Sequence, residues 1–298
     1  MDKILVNQNN LEIEKEDLED ILKQDKLLSK TTEQLTDSNS SVTFSNYLNG
    51  FTASHSININ FDNYGAFDTY FTLKDSNSCK YDCNPVDGTR LVLNESGKKF
   101  IDILKPVDNH VVIYPIFTAS AYAEHGFYDY FKGDCDESCI TDLSFNYTGG
   151  TYNSSVHTAQ ILHAVGYNLI TDIDVDKNPE ILKNYEKIIL LHNEYVTKKM
   201  FNAIVDHPNV IFLFPNALYA EIDVNYEKNE ITLIRGHNYP ESEILNGFNW
   251  EFENTPYEYD KKCENWEFYD IPNGKMLNCY PEQKIWQDKD LLKMLKEF

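Results

Sequence analysis

The sequence predicts an α/β fold: a mostly parallel sheet with helices on both faces over residues 106–298, preceded by a small β region and an N-terminal helix. The main observation is a strand–helix–strand pattern. Residues 188–191 and 210–214 are continuous apolar runs, which are typical of strands buried on both faces. Between them Met200 and Ile204 recur at helical spacing, and a helix that joins two strands in this way connects a parallel pair.

Two further regions precede this sheet. Apolar residues at near-helical spacing predict an acidic amphipathic helix within residues 11–35, and a run rich in Ser, Asn and Asp predicts a linker at 36–45. Strand-like runs at 69–73 and 90–93 predict a small β region. The predicted domains are the N-terminal helix with its linker (1–45), the β region (46–105) and the α/β domain (106–298).

The α/β domain is expected to contain several more elements. These are strands at 111–117, 142–145, 168–171 and 231–234, helices at 154–165, 179–185 and 291–295, and a hairpin at 266–280. Asp172, Asp174 and Asp176 resemble the start of a calcium loop, but its sixth position is Lys177 rather than Gly. This run is therefore predicted to be an acidic loop that caps the helix beginning at Pro179.

The chain is strongly acidic, with 48 acidic against 26 basic residues and a formal net charge of −22. Such a surface repels phosphate backbones, so we expect no nucleic-acid partner. Arg90 and Arg235 are the two arginines, which leaves little capacity for bidentate recognition of an anionic substrate. No run of eighteen apolar residues occurs, so no membrane span is expected. Homo-oligomerisation stays open.

Six cysteines fall into three candidate disulfide pairs: Cys79 with Cys83, Cys135 with Cys139, and Cys263 with Cys279. Local pairs, together with four Asn-x-Ser/Thr sequons, suit an extracellular protein. The amino terminus lacks the basic-then-apolar pattern of a signal peptide, which favours the cytoplasm, and both locations stay open. The third bridge also stays open, because a hairpin turn at 272–274 would place Cys279 opposite Phe268.

Polar side chains at strand ends are the best candidates for a site. The sequence has no G-x-G-x-x-G, P-loop, G-x-S-x-G or HExxH motif, and His157 and His163 are six apart on one predicted helix and do not share a face. The candidates are Tyr122, Tyr147, His192, Glu194 and Asn216. Parallel strands bring their carboxyl ends to one edge of a sheet, so we expect these side chains to converge there.

A family resemblance is carried by LLHNEYVTKKM and IFLFPNALY, and upstream by FTASAYAEHGFYDY and LSFNY. These blocks resemble the N,N-dimethylformamidase large (beta) subunit family. In that family one strand ends in His-x-Glu-Tyr-Trp-Ser and the next in Phe-Phe-x-x-Asn-x-x-Tyr. The resemblance covers residues 111–222. It implies a glutamine-amidotransferase-like version of the flavodoxin-like α/β fold.

The resemblance also implies a mononuclear Fe³⁺ site held by Tyr122, Tyr147 and Glu194. His192 and Asn216 match catalytic or substrate-contacting positions. Phenolates and a carboxylate are hard anionic donors that suit Fe³⁺. The implied activity is metal-dependent hydrolysis of the C–N bond of a small amide.

Three departures from the family concern its pocket rather than the implied ligands. Val196 stands where the family has Trp, Ala119 where it has Trp, and Asn146 where Arg-Pro precedes Tyr. We therefore expect a reduced aromatic pocket. The alternative is a non-catalytic surface or ligand-binding protein on the same fold, which the sequons and paired cysteines favour. Thiol redox chemistry is a weaker hypothesis, because the close pairs have C-x3-C rather than C-x2-C spacing.

Overall fold

The structure is a computed structural model that divides into two compact units, Met1–Leu104 and Lys105–Phe298. It describes five strands of the first unit, and residues 107–145, 155–285 and 287–298 of the second. The strands of the first unit are β1 (Ile4–Val6), β2 (Leu11–Ile13), β3 (Ser56–Asn58), β4 (Phe67–Leu73) and β5 (Val86–Leu93).

The described strands of the first unit pair antiparallel. β1 pairs with β2, and β3, β4 and β5 form a three-stranded sheet in that order. The predicted strands at 69–73 and 90–93 lie within β4 and β5, so the prediction of a small β region is confirmed. Leu11 begins β2, so the predicted helix is wrong at its first residues. The rest of that helix and the linker lie outside the described residues.

The second unit contains ten strands and six α-helices among its described residues. The strands are β6 (Val107–Tyr114), β7 (Leu143–Ser144), β8 (Tyr167–Thr171), β9 (Lys187–Leu190), β10 (Tyr195–Thr197), β11 (Val210–Phe212), β12 (Ala220–Asn225), β13 (Glu230–Arg235), β14 (Phe268–Ile271) and β15 (Gly274–Leu277). The helices are α1 (Ile116–Ala121), α2 (Phe127–Lys132), α3 (Val156–Ala164), α4 (Asp172–Lys177), α5 (Lys198–Val205) and α6 (Lys289–Glu297). Short 3₁₀ turns occur at Glu137–Cys139, Pro179–Asn184, Thr255–Tyr257 and Pro281–Gln283.

The main sheet has six strands in the order β14-β15-β11-β9-β6-β8. Every neighbouring pair is parallel except β14 with β15. Numbered along the chain, the parallel strands β8-β6-β9-β11-β15 have the order 2-1-3-4-5, which is the flavodoxin-like order. The predicted α/β fold with a mostly parallel sheet is therefore confirmed. The chain passes from β6 to β8 on one side of the sheet and from β9 to β11 on the other. The strand order therefore reverses between β6 and β9.

The predicted strand–helix–strand unit is β9, α5 and β11. β9 and β11 are buried along their whole length, as their continuous apolar runs require. α5 begins where the Thr197 side chain accepts a hydrogen bond from Met200 N, and it buries Met200 and Ile204 against the core. Its apolar stripe and its cap thus agree, which explains why this unit could be predicted.

A smaller sheet has the order β10-β12-β13-β7. β10 runs parallel to β12, whereas β12 with β13 and β13 with β7 are antiparallel. β7 lies inside the predicted strand 142–145, but it is not a member of the parallel sheet. The expectation that all the candidate strand ends meet at one edge is therefore wrong for this strand.

Three predicted elements differ from the prediction. The predicted strand 111–117 ends at Tyr114, because α1 begins at Ile116. The predicted acidic loop is the helix α4, which a capping box begins: the Thr171 hydroxyl accepts from Asp174 N, and the Asp174 carboxylate accepts from Thr171 N. The helix predicted at 179–185 is the 3₁₀ turn Pro179–Asn184.

The predicted hairpin is β14 and β15. Phe268 pairs with Leu277 and Ile271 with Gly274, so Cys279 does not lie opposite Phe268 as expected. A Cβ atom at Gly274 would overlap the Val210 carbonyl, and its φ of +157° suits glycine, so this close approach of β15 to β11 requires Gly.

Two of the three candidate disulfides are formed. Cys135 is bonded to Cys139 and Cys263 to Cys279, while Cys79 and Cys83 lie outside the described residues. The second bridge closes because the chain folds back before β14. In the part of the chain that the structure describes, none of the helices is long and apolar enough to cross a membrane.

Candidate functional site

The candidate residues lie where the main sheet switches direction. Tyr122 caps the carboxyl end of α1, the helix that follows β6, and Glu194 lies four residues beyond the end of β9. β6 and β9 are the two neighbouring strands whose connections diverge. In doubly wound sheets the crevice at this point is the usual place for a ligand.

Backbone hydrogen bonds fix the position of Glu194 from two sides. From α1, the Thr118 hydroxyl accepts from Glu194 N (3.0 Å) and Tyr195 N (3.3 Å). From the segment after β11, Tyr219 N and Ala220 N both donate to the Glu194 carbonyl (2.9 Å each). The strand-end segment is thus held rigidly between the two neighbouring connections.

The helix α1 is held in turn by Asp172, at the start of α4. Pro115 provides no side-chain cap for α1, and the Asp172 carboxylate accepts from Phe117 N instead (2.8 Å). Asp172 is fully buried, and burial raises its pKa well above the usual value, although the backbone N–H groups of Phe117 and its neighbours act in the opposite direction. A residue 55 positions away along the chain therefore fixes the helix that carries Thr118 and Tyr122.

The Glu194 carboxylate contacts three side chains and is fully buried. His237 Nε2 lies 2.6 Å from Oε1, and His192 Nε2 lies 3.5 Å from Oε2. The Tyr122 phenol lies near the same carboxylate, since each group shifts the pKa of the other, and its ring lies 5.8 Å from that of His192. The structure thus places Tyr122, His192 and Glu194 next to one another.

The site favours an anionic glutamate and a neutral phenol. Burial raises the pKa of Glu194, but the charge and hydrogen bond of His237, the charge of His192 and the hydrogen bond of Tyr122 together hold it below the usual value. Burial, and next the negative charge of Glu194, raise the pKa of Tyr122 well above 10. Without a cation in the site, the Tyr122 phenol therefore keeps its proton.

Asn216 lies at the equivalent position on the next strand. β11 pairs Phe212 with Leu190, so Asn216 and Glu194 are each four residues past paired positions. Asn216 is buried with φ +58°, and its Oδ1 has no hydrogen-bond partner among the described residues. Both polar atoms of the buried Asn193 side chain share this property. Buried polar atoms without partners are costly, and such a group points to a ligand that the site accepts.

Aromatic rings surround the carboxylate although Ala119 and Val196 replace the family's tryptophans. His237 packs between Tyr195 (5.3 Å between ring centroids) and Tyr219 (4.7 Å). His192 contacts the rings of Tyr122, Phe214 and Tyr280. These rings come from several elements, and the expectation of a reduced aromatic pocket stays a prediction.

Sequence reasoning missed His237. It lies two residues after β13, a strand of the smaller sheet, with φ +51°. A polar residue that follows the apolar run 231–234 was a usable signal. The prediction considered only strands expected to be parallel neighbours, which β13 is not. Tyr147, the remaining predicted ligand, lies outside the described residues.

Among the described residues, the oxygen donors of this site are of the types that Fe³⁺ prefers. Tyr122 and Glu194 supply a phenol and a carboxylate oxygen, and the pKa of Glu194 is held below its usual value. Among the described residues, His, Cys, Asp and Glu side chains alone form no group of three that could hold a metal.

The fold and site define a class: a flavodoxin-order α/β protein with a buried carboxylate at the switch point of its sheet. The model of the N,N-dimethylformamidase beta subunit-like, C-terminal family matches residues 102–258, which is just over half of the chain. The chain belongs to this family. None of the curated proteins compared with it matches.

Proposed function

We propose that this protein hydrolyses the C–N bond of a small amide at a mononuclear iron centre. Its family is named for a dimethylformamidase subunit, which supports this reaction class. The observation that carries the proposal is the buried Glu194 carboxylate in contact with Tyr122, His192 and His237 at the switch point of the sheet. Groups that can exchange protons in a desolvated crevice are typical of catalytic sites.

Tyr122 and Glu194, with Tyr147 as the predicted third ligand, would hold the ion. Fe³⁺ would supply Lewis-acid activation of the amide carbonyl and of water. Glu194 needs no deprotonation to bind a cation, because its pKa is already lowered. The Tyr122 phenol must lose its proton, which a trivalent cation favours.

The other residues act on the substrate and its protons. His192, with Nε2 facing the Glu194 carboxylate, accepts a proton from water and returns it to the leaving amine. Asn216 is buried at the end of the next strand, and its side-chain N–H donates to the oxygen of the substrate amide as negative charge develops there. His237 holds Glu194 in one orientation through the 2.6 Å contact.

The test combines metal analysis with an activity assay on the full chain. We expect one iron per chain, a broad visible absorption from tyrosinate-to-Fe³⁺ charge transfer, and release of amine from short amides. Tyr122→Phe should lose most of the visible band and most of the bound iron. Tyr257→Phe is the matched control, because Tyr257 packs against Tyr269 and should leave both unchanged. Colourless protein that takes up no iron would refute the proposal.

The disulfides favour a second candidate, a ligand-binding protein of an oxidising compartment on the same fold. Cys135–Cys139 and Cys263–Cys279 are both bonded, and such bonds persist mainly in oxidising compartments. Thiol titration with and without reductant, followed by the activity assay, separates the two candidates. Intact disulfides with no iron and no hydrolysis would favour the second.

A further inference from the structure

Three rings of α2 pack against three rings of the Glu194 site. The distances between ring centroids are 5.4 Å for Phe127 with Tyr195, 4.6 Å for Tyr128 with Tyr122, and 4.9 Å for Phe131 with His237. His237 Nε2 in turn lies 2.6 Å from Glu194 Oε1, and the ring of Tyr195 stacks on that of His237. α2 therefore forms one wall of the site, and its position affects the groups next to the carboxylate.

The first turn of α2 is anchored to the core. Phe127 is fully buried, and Gly126 before it packs so closely on the end of α1 that a Cβ atom there would overlap the Ala121 carbonyl. Gly126 N also donates to the Ala123 carbonyl (2.9 Å). This end of the helix is therefore fixed by tertiary packing.

The last turn of α2 has weaker attachments. Gly133 ends the helix with φ +80°, and apart from its chain neighbours no atom of the described residues lies within 4 Å of the place of a Cβ there. Lys132 forms ion pairs with Asp129 and Asp134 at 3.0 Å each, but these groups lie near the surface, where such pairs contribute little. Phe131 is 40% exposed. The ring that packs on the histidine of the site thus lies at the weakly held end of the helix.

The Cys135–Cys139 bond ties this end of α2 to the smaller sheet. Cys139 is buried, and the carbonyl of the fully buried Ile140 accepts from Leu233 N of β13 (2.8 Å). Between the helix and this point, residues 134 and 136–138 are exposed. The disulfide therefore gives the last turn of α2 a covalent connection to the core that the exposed run alone would not provide.

The two described disulfides differ in their access to solvent. Cys135 is half-buried within the otherwise exposed run 131–138, whereas Cys263 and Cys279 are fully buried. Thiol–disulfide exchange requires a thiolate to reach a sulfur atom of the bond. In the folded protein a dissolved dithiol therefore reaches the Cys135–Cys139 bond in preference to the other.

We propose that the Cys135–Cys139 bond is a redox-sensitive switch that controls how α2 covers the Glu194 site. A dithiol reduces it: the S–S bond breaks, the two cysteines gain two electrons and two protons as thiols, and the dithiol becomes a disulfide. The last turn of α2 then opens away from His237, while Phe127 keeps the first turn in place. This inference names a regulation of the same site and in that respect rests on the proposed function.

Chemical labelling of histidines tests the opening of α2 in the full chain. Diethyl pyrocarbonate modifies accessible imidazoles, and His237 is only 6% exposed. After mild treatment with dithiothreitol we expect labelling of His237 to become about tenfold faster, because the disulfide no longer restrains local unfolding of the helix. His207 is the internal control, since it is buried and its ring nitrogens contact two backbone carbonyls at 3.0 and 3.1 Å. Its labelling should not change.

Peptide mapping after alkylation identifies the bond that is reduced. Alkylation should modify Cys135 and Cys139 and leave Cys263 and Cys279 bonded, in accordance with their burial. Reduction of the buried pair before the other would overturn the inference.

A double variant separates loss of the bond from other effects of the reductant. With both Cys135→Ser and Cys139→Ser, labelling of His237 should be as fast as in the reduced parent, with or without dithiothreitol. Ser138→Ala is the matched control in the same loop: it keeps the disulfide and the backbone N–H that Asp136 accepts, so it should behave as the parent. Equal labelling of His237 in the oxidised parent and the double variant, or a response of the double variant to dithiothreitol, would overturn the inference.

Iron content and amide hydrolysis are compared between the parent and the double variant without reductant, because a dithiol also reduces Fe³⁺. We expect hydrolysis to be about fivefold slower in the double variant, since His237 loses the ring that packs on it and holds Glu194 less firmly. Equal hydrolysis with His237 protected in both proteins refutes the switch alone. Exposure of His237 in a protein that neither takes up iron nor hydrolyses amides refutes the proposed chemistry alone.

Discussion

Two fully buried glutamates of the second unit have opposite surroundings. Glu282 accepts from the backbone N–H groups of His157 (2.8 Å) and Thr158 (3.2 Å), and from the Thr158 hydroxyl (2.6 Å). These donors lie in the first turn of α3, whose own N-cap residue provides no side-chain bond. Glu194 instead faces two imidazoles and a phenol.

This difference separates a structural carboxylate from a candidate catalytic one. Three of the contacts of Glu282 are backbone N–H groups and a hydroxyl at the start of α3, so its main role is to stabilise a helix terminus, although His157 Nδ1 also lies 3.3 Å from its Oε1. Imidazole and phenol exchange protons and bind metals, so the partners of Glu194 suit chemistry. Burial alone does not distinguish the two residues, and each has an imidazole nearby; they differ in that Glu282 also accepts from the backbone of a helix terminus, whereas Glu194 faces two imidazoles.

Glu194→Gln should have the largest effect on function. Glutamine keeps one oxygen to accept from His237 but loses the negative charge that would bind iron. We expect iron to be lost and amide hydrolysis to fall by at least about a thousandfold. The free energy of unfolding should change by only about 1 kcal/mol, since a hydrogen bond to His237 is retained. Urea unfolding and iron analysis on one preparation measure the stability and the iron content. A large loss of stability with iron retained would mean that Glu194 has a structural role instead.

Glu282→Ala should have the opposite profile. It leaves the first N–H groups of α3 and the Thr158 hydroxyl without their buried acceptor, and we expect a loss of about 3 kcal/mol of unfolding free energy. Glu282→Gln, which keeps one acceptor, should lose less. Iron content per folded molecule should stay near that of the parent protein. Stability equal to the parent in Glu282→Ala would contradict the structural role.

The sequence predicted the parts of the fold that local pattern determines. β9, α5 and β11 each carry their own signal, in buried apolar runs and a capped amphipathic helix. α1 could not be predicted, because the group that caps it, Asp172, is distant in the chain. β7 was predicted as a strand but placed in the wrong sheet, since its partner β13 is set by tertiary contacts.

The same limit applies to the site. Tyr122, His192 and Glu194 follow strands whose order in the sheet could be anticipated, and the structure brings them together. His237 enters from the smaller sheet, which no periodicity in the sequence connects to β9. The Cys263–Cys279 bond likewise depends on a chain reversal outside the hairpin register.

Two further carboxylates extend the comparison to pH. Asp172 caps α1 and Asp288 caps α6, but the two carboxyl groups have pKa shifts of opposite direction. Burial raises the pKa of Asp172, whereas the pKa of Asp288 is lowered. A carboxyl with a raised pKa binds its proton more tightly in the folded state, so its ionisation lowers stability as the pH rises above about 4. Asp172→Asn removes this cost. Relative to the parent, we expect its unfolding free energy to increase with pH, by about 1.4 kcal/mol for each unit of the original shift.

Asp288→Asn is the control of opposite sign and the smallest effect. Burial raises the pKa of Asp288, but the Leu291 N–H, the Trp266 indole and Lys284 outweigh it, so the pKa is lowered. Its contribution is present above about pH 4 and disappears as the pH falls through the lowered pKa. The variant should lose about 0.5–1 kcal/mol at neutral pH and match the parent in acid. Urea unfolding of the parent and both variants from pH 3 to 8 measures these differences. The unfolding free energy of the variant minus that of the parent should rise with pH for Asp172→Asn and fall with pH for Asp288→Asn. Slopes of the same sign would mean that burial does not govern the pKa of Asp172.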